Sequence, residues 1–328
     1  MVSGLPFDDF RHLVASLAGP DETVRREAAE LNTRSAARDG ALGRAGEIAE
    51  WLAAWSGRRP GVLRPQVAIF AGTHGLSARL EDTDRVYVQD FVARCGSGDA
   101  PINQLCAAGD YGLQVFDLAL EVPTADITAD AALDERGCAA TIAFGMEAVA
   151  GGGGLLVLAG QGGDAGRISA CAVLAAVLGD VIQAPGASDG RLVTEALESH
   201  RGHLADPLEA MRRVGGRETA ALAGAIVAAR TQKVPIVLDG IAAIAAAAVV
   251  HRLNPAAIGH CLVADTGGTA QAAAIAALGL DPLLSLGMQG GDGSAGAMAA
   301  GLVQAAAHSH AAAGKYETRV SGTRRPLN

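Results

Sequence analysis

The sequence predicts an α/β fold: a doubly wound, mainly parallel sheet of about six strands with helices on both faces, plus a small helical subdomain from the two chain ends. Three observations carry this expectation. Short β-rich apolar runs recur, each ending in glycine or a polar turn residue, and Ala-rich stretches of helical length separate them. Half the residues are apolar but only 3% are aromatic, and there are 43 glycines, so small side chains must pack around closely approaching backbone. Alternation of this kind is the pattern of βαβ units and a parallel sheet. At 328 residues the chain can bury a large core.

Taken in order, residues 7–57 are polar with two apolar stripes at helical spacing: Phe10, Leu13, Val14 and Leu17, then Ile48, Trp51, Leu52 and Trp55. They predict two helices joined by the loop 38–44, with the tryptophans as packing anchors. Strands follow at 66–70, 114–120, 155–159, 234–238 and 261–264, and the run Leu283-Leu-Ser-Leu supplies the sixth. Helices are expected at 139–149, 167–178, 190–201, 217–230, 243–253, 270–278 and 297–313, with the chain fraying from Val320. The resulting division is a helical segment 1–60 packing with 297–328, around an α/β ligand-binding domain 61–296.

A net charge of −9 without a basic segment argues against a nucleic-acid partner. The five cysteines are odd in number, widely spaced and form no C-x-x-C, which argues against a zinc site or disulfide framework and fits a reducing cytosol. No signal peptide is expected at the start, and the apolar run 241–250 is too short to span a bilayer. These features predict a cytoplasmic protein with no metal and no cofactor.

Ligands in an open α/β sheet bind at the carboxyl ends of the strands. The pattern places His74, Asp239, Asp265 and Asp292 on that rim, each beside glycine, and four together point to a small-molecule site. Asp292 lies in Gly290-Gly-Asp-Gly-Ser294, the loop before the last helix, so it reads equally as a helix cap and as a functional carboxylate. Gly160, Gly162 and Ala165 match a Gly-x-Gly-x-x-Ala loop after a strand, with Asp180 near the spacing of a ribose-binding acid. Continued helix through 171–178 leaves little room for the second strand of a dinucleotide fold, so the expectation narrows to an anion cradle of backbone amides at that helix start.

Several segments carry a family likeness: 4–10, 40–44, Val67-Ala-Ile-Phe-Ala-Gly-Thr-His-Gly75, 102–104, 115–120, 143–148, 206–213, Gly215-Gly-Arg-Glu-Thr-Ala-Ala-Leu-Ala-Gly-Ala-Ile226, 237–240 and 283–287. Together they resemble the nicotinate-nucleotide–dimethylbenzimidazole phosphoribosyltransferase family in its alphaproteobacterial form. The resemblance implies transfer of the phosphoribosyl group of nicotinate mononucleotide onto 5,6-dimethylbenzimidazole or a related azole, in cobalamin synthesis. It also implies a homodimer, and small-residue helices such as 224–229 are candidates for its interface. The family's glutamate base falls on Asp292, one methylene shorter, and misplacement by about 1 Å can cost about 100-fold. The family's Gly-Glu-Met-Gly-Ile-Gly-Asn-Thr-Thr loop is replaced by Ala159-Gly-Gln-Gly-Gly-Asp-Ala-Gly-Arg167, its Ser-x-Glu-Pro-Gly-His by Thr266-Gly-Gly-Thr-Ala-Gln271, and its Lys-Pro/Gln-x-Gly by 37–40. The loop after His74, which helps to hold the azole, is replaced by 76–84.

The site expected from this likeness has Asp292 as base, with His74, Gly160, Gly162, Arg167, Asp239, Thr266, Gly291 and Gly293 contacting substrate and Arg167 as phosphate clamp. The alternative is a non-catalytic homologue, a ligand-binding or structural subunit, alone or in a heterodimer with an active copy.

Overall fold

A computed structural model describes residues 6–80, 83–150, 154–179, 182–184 and 186–323. The chain opens with α1 (Asp8–Ala15), α2 (Glu22–Asp39) and α3 (Arg44–Ser56). Two helices were expected here. The additional break at 16–21 comes from Gly19-Pro20-Asp21: proline resists continuing a helix, and the Asp21 carboxylate caps α2 by accepting the N–H groups of Thr23 and Val24 at 3.1 Å.

The sheet begins with β1 (Pro65–Ala71), followed by a 3₁₀ turn at Gly75–Arg79, α4 (Thr83–Ser97), α5 (Pro101–Gly109) and β2 (Gly112–Asp117). Both α4 and α5 escaped the sequence reading; Val86-Tyr-Val88 is β-favouring locally, and only Pro101 at the start of α5 marks a helix. Then come α6 (Glu135–Ala148), β3 (Leu155–Gln161), α7 (Gly163–Leu178), α8 (Ala187–Ser199), α9 (Pro207–Val214) and α10 (Arg217–Thr231). The chain closes with β4 (Ile236–Asp239), α11 (Gly240–Leu253), β5 (Cys261–Asp265), α12 (Thr269–Ala277), β6 (Pro282–Leu284) and α13 (Ser294–Thr323). Helix α9, capped by Asp206 with Pro207 in its first turn, was not anticipated. The last helix starts earlier than expected and continues past Val320 rather than fraying there.

The sheet order is β2-β1-β3-β4-β5-β6, and every pairing is parallel. Burial on both faces explains the unbroken apolar strands. In β1, Ala68 and Phe70 point to a core shared with α6, α7, α10 and α11, while Val67 and Ile69 point to one shared with α3, α5 and α13. In β3, Leu156 and Leu158 face the first, and Leu155, Val157 and Ala159 the second.

Helix α10 is buried from Glu218 to Arg230 and lies against α6 at backbone distance. A Cβ on Gly145 would sit 1.9 Å from the Ala221 carbonyl oxygen, and one on Gly224 would sit 2.0 Å from that of Ile142. The small residues of 224–229 therefore serve contact within the chain, which corrects their assignment to a dimer interface. Trp51 donates its indole N–H to the Gly259 carbonyl at 3.2 Å, and Trp55 carries the Arg230 guanidinium over its ring. Helix α13 lies against α2, α3 and α5, whereas α1 packs on α11. Among the described residues no helix is long and apolar enough to cross a membrane.

Candidate active site

In this strand order β1 lies between β2 and β3, so successive connections depart in opposite directions from the carboxyl ends of β1 and β3. A crevice opens at such a switch point. Here it is a cavity of about 750 Å³ walled by Gly160–Asp164, Gly166 and Arg167 after β3, Ile241 and Ala242 after β4, Gln289–Gly291 before α13, and Arg79, Leu80, Asp84 and Tyr87. A second cavity, of about 340 Å³, is walled by Asp239, Asp292, Ser294, Ala295, Met288, Pro101 and Leu105, and shares Gln289 and Gly290 with the first. The loop 289–290 thus stands between two compartments.

Asp265 shapes that loop. Its buried carboxylate accepts backbone N–H groups from Gly267 at 2.9 Å, Leu286 at 2.5 Å and Met288 at 3.1 Å. Burial alone would raise its pKa, but these amides outweigh burial and hold it below the ordinary carboxylate value. Gln161 ties the loop to β3, donating from Nε2 to the Gly290 carbonyl at 3.3 Å while its Oε1 accepts the Gly163 N–H at 3.1 Å.

Asp292 sits at the start of α13, where the sequence offered a helix cap. Its Oδ1 accepts the Ser294 N–H at 3.0 Å, capping α13, and the residue remains part of the cavity wall. Tyr87 stands close enough that burial, with the Asp292 charge adding to it, raises the phenol's pKa. Asp239, at the end of β4, is buried and accepts the Gly296 N–H on Oδ2 at 2.8 Å. Burial pushes it up to about 7, with the Asp292 and Asp265 charges adding to the rise and the α13 amides opposing it.

His74 lines neither of these two cavities. It is buried under the first turn of α7, Nε2 lying 3.1 Å from Glu218 Oε1, with each side chain only 1% exposed. Burial opposes both charges, yet each partner prevails on the other: the imidazole is raised and the carboxyl lowered, so the pair is ionic. Glycines make room for it. A Cβ on Gly216 would come within 2.4 Å of both Glu218 oxygens and of His74 Cε1, and one on Gly162 would lie 2.8 Å from His74 Nε2. Glu218, expected only to favour the first turn of α10, is half of this ion pair.

The start of α7 does cradle an anion, but one from the chain itself. Asp84 accepts the Asp164 N–H on Oδ1 at 2.6 Å and the Ala165 N–H on Oδ2 at 3.3 Å. Burial raises its carboxyl despite these bonds. Arg167 faces the cavity already held by Asp189 at 2.6 Å and Asp164 at 2.9 Å.

Of the expected site residues, Gly160, Gly162, Arg167 and Gly291 therefore line the larger cavity, and Asp239 and Asp292 the smaller. Gly293 takes φ +86° against Val67 and Ile69 in the core, and Thr266, whose hydroxyl meets Ser285, lines neither cavity. Asp180 lies outside the described residues. The reading missed Asp84, Tyr87, Gln161 and Ser294; for Gln161 a signal existed, a buried-strand terminus set between glycines.

A family model described as Phosphoribosyltransferase matches residues 17–320. A protein of Agrobacterium fabrum named nicotinate-nucleotide–dimethylbenzimidazole phosphoribosyltransferase is 48% identical, over 98% of this chain and 97% of its own length. One of the same name from Sinorhizobium fredii is 50% identical, over 94% and 95%. The crystal structure of the phosphoribosyltransferase of that name from Thermus thermophilus superposes with a TM-score of 0.78 at 28% identity, covering 88% of this chain and 95% of that one. Full-length likeness in sequence and in fold leads to one conclusion: the chain belongs to the nicotinate-nucleotide–dimethylbenzimidazole phosphoribosyltransferase family.

Proposed function

We propose that the chain transfers the phosphoribosyl group of nicotinate mononucleotide to 5,6-dimethylbenzimidazole or a related azole, giving α-ribazole phosphate and nicotinate for cobalamin nucleotide-loop synthesis. The observation that carries this is the near-full-length identity of about one half with relatives of that name. Asp292 takes the proton from the azole N–H as the other ring nitrogen attacks C1′ of the ribose. The bond from C1′ to nicotinate breaks with its electron pair leaving on the pyridine nitrogen. General-base help of this kind contributes about 10²–10⁴-fold. Arg167 is the group offered to phosphate, and Gly160, Gly162 and Gly291 contribute to the wall of the substrate cavity.

The test is a product assay with nicotinate mononucleotide and a panel of benzimidazoles and purines. Turnover is expected in the natural protein, with Asp292→Ala lowering kcat by at least about 100-fold; unchanged kcat in that variant would remove Asp292 from the base role. The second reading, a ligand-binding or structural subunit without turnover, is favoured by one observation, the Asp84 carboxylate on the α7 amides. It predicts nucleotide binding by calorimetry with no product. We also read the assembly as a cytoplasmic homodimer, testable by sedimentation, and 1–60 with 297–328 as a helical subdomain, testable by limited proteolysis.

A further inference from the structure

The last turn of α10 carries a buried cation that the fold leaves without a countercharge. Arg230 is 7% exposed. Its Nη2 donates to the Ala18 carbonyl, and its guanidinium carbon lies 3.7 Å from the centroid of the Trp55 ring. Nε and Nη1 are buried with no acceptor. Burial pushes the guanidinium down to about 10, and the only group opposing that shift is the Cys261 thiol, which burial itself raises and keeps uncharged. His260 is pushed down to about 3 by burial and by the Arg230 charge, so it is neutral as well. Buried charges are normally paired, and a cation held over one aromatic ring recovers only part of the cost of leaving water.

Arg230 lines a cavity of about 550 Å³ at the amino-terminal rim of the sheet, where α10 ends before β4 and α3 ends before β1. It shares no lining residue with the two cavities at the carboxyl rim. The connection between α1 and α2 supplies one wall, Leu13, Leu17 and Trp55 make part of the lining apolar, and Lys233, at φ +57°, adds a second cation. The acids in the wall are engaged elsewhere: Asp21 caps α2, and Glu22 pairs with Arg25 at 2.6 Å. Because the chain covers Nε and Nη1, what Arg230 presents to the cavity is its charge. We propose that this cavity is a second ligand site that takes a small organic monocarboxylate, with its apolar body against Leu13, Leu17 and Trp55 and its charge toward Arg230 and Lys233. One negative charge suits the wall better than two, since Asp21 and Glu22 repel a dianion such as phosphate more strongly. The ligand supplies the countercharge that the fold omits and ties the α1–α2 connection to α10. The site is independent of the transfer reaction.

Benzoate is the probe, benzamide its neutral isostere, and sodium chloride at equal ionic strength the reference. Benzoate at about one hundred times its Kd should raise the Tm of the natural protein by about 4 °C, and benzamide should not. Arg230→Met keeps much of the side chain's length without its charge, and should weaken benzoate binding in calorimetry by at least about tenfold. Equal benzoate affinity in that variant, or a Tm rise with phosphate and none with benzoate, would overturn the inference. A second measurement needs no variant. In crystals of the natural protein soaked in 4-bromobenzoate, the anomalous signal of the bromine should lie between α10, Trp55 and the α1–α2 connection. Bromine found only in the carboxyl-rim cavities, or nowhere, overturns the site.

Discussion

Replacing His74 by glutamine would leave Glu218 in a glycine-lined space without a countercharge. The second carboxylate oxygen, Oε2, already lacks a partner, and only the Glu218 backbone N–H and the weaker Arg217 charge would still favour the ionised form. The carboxyl would then be buried as the neutral acid. Starting from an ordinary value of 4.5, keeping it protonated costs about 3.4 kcal/mol at pH 7 and about 0.7 kcal/mol at pH 5, at 1.36 kcal/mol per pH unit. Unfolding 328 residues carries an entropy of about 0.7 kcal/mol/K near 60 °C. The variant should therefore melt about 5 °C below the natural protein at pH 7 and about 1 °C below at pH 5.

The direction follows from the shifts of the pair. Glu218 is lowered, so its contribution is present above 4.5 and disappears as pH falls through its folded value. His74 is raised, so its share is complete below 6.5 and lost as pH climbs through its folded value. The assay is differential scanning calorimetry across pH 5–8, with His74→Gln/Glu218→Gln as control. Two neutral amides can hydrogen-bond with no charge to bury, so the double variant should lose the pH dependence. A Tm loss equal at pH 5 and 7, or absent at pH 7, would refute the ionic pair.

Two further outcomes follow from packing and from the α7 start. Gly145→Ala should cost about 1–3 kcal/mol, since its methyl meets the Ala221 carbonyl within a well-packed core, and urea melts should show a lowered midpoint with an unchanged slope. Asp84→Asn should remove the internal anion from the α7 amides, so inorganic phosphate should bind more tightly by calorimetry; equal or weaker binding would show that Asp84 does not compete there.

Much of the fold was legible in the sequence because strands buried on both faces must be continuously apolar, and because each ended in a turn the rim required. The rim positions of Asp239, Asp265 and Asp292 followed from that periodicity. Helices α4, α5 and α9 were not legible: α4 contains a β-favouring run, and α5 and α9 are short pieces held by contacts distant in sequence.

The sequence by itself determined the layered architecture, the family, and which strand ends bear carboxylates. Only the tertiary structure decided what those groups do. His74 lies in a rim-like sequence context but is buried, because Glu218 from α10 meets it 144 residues away. The anion cradle exists, but Asp84 from another element occupies it. Asp239 and Asp265 look alike along the chain, yet one is raised by burial and the other lowered by converging amides. A side chain's charge depends on its solvation and its neighbours' dipoles, and here those neighbours come from other elements of the fold.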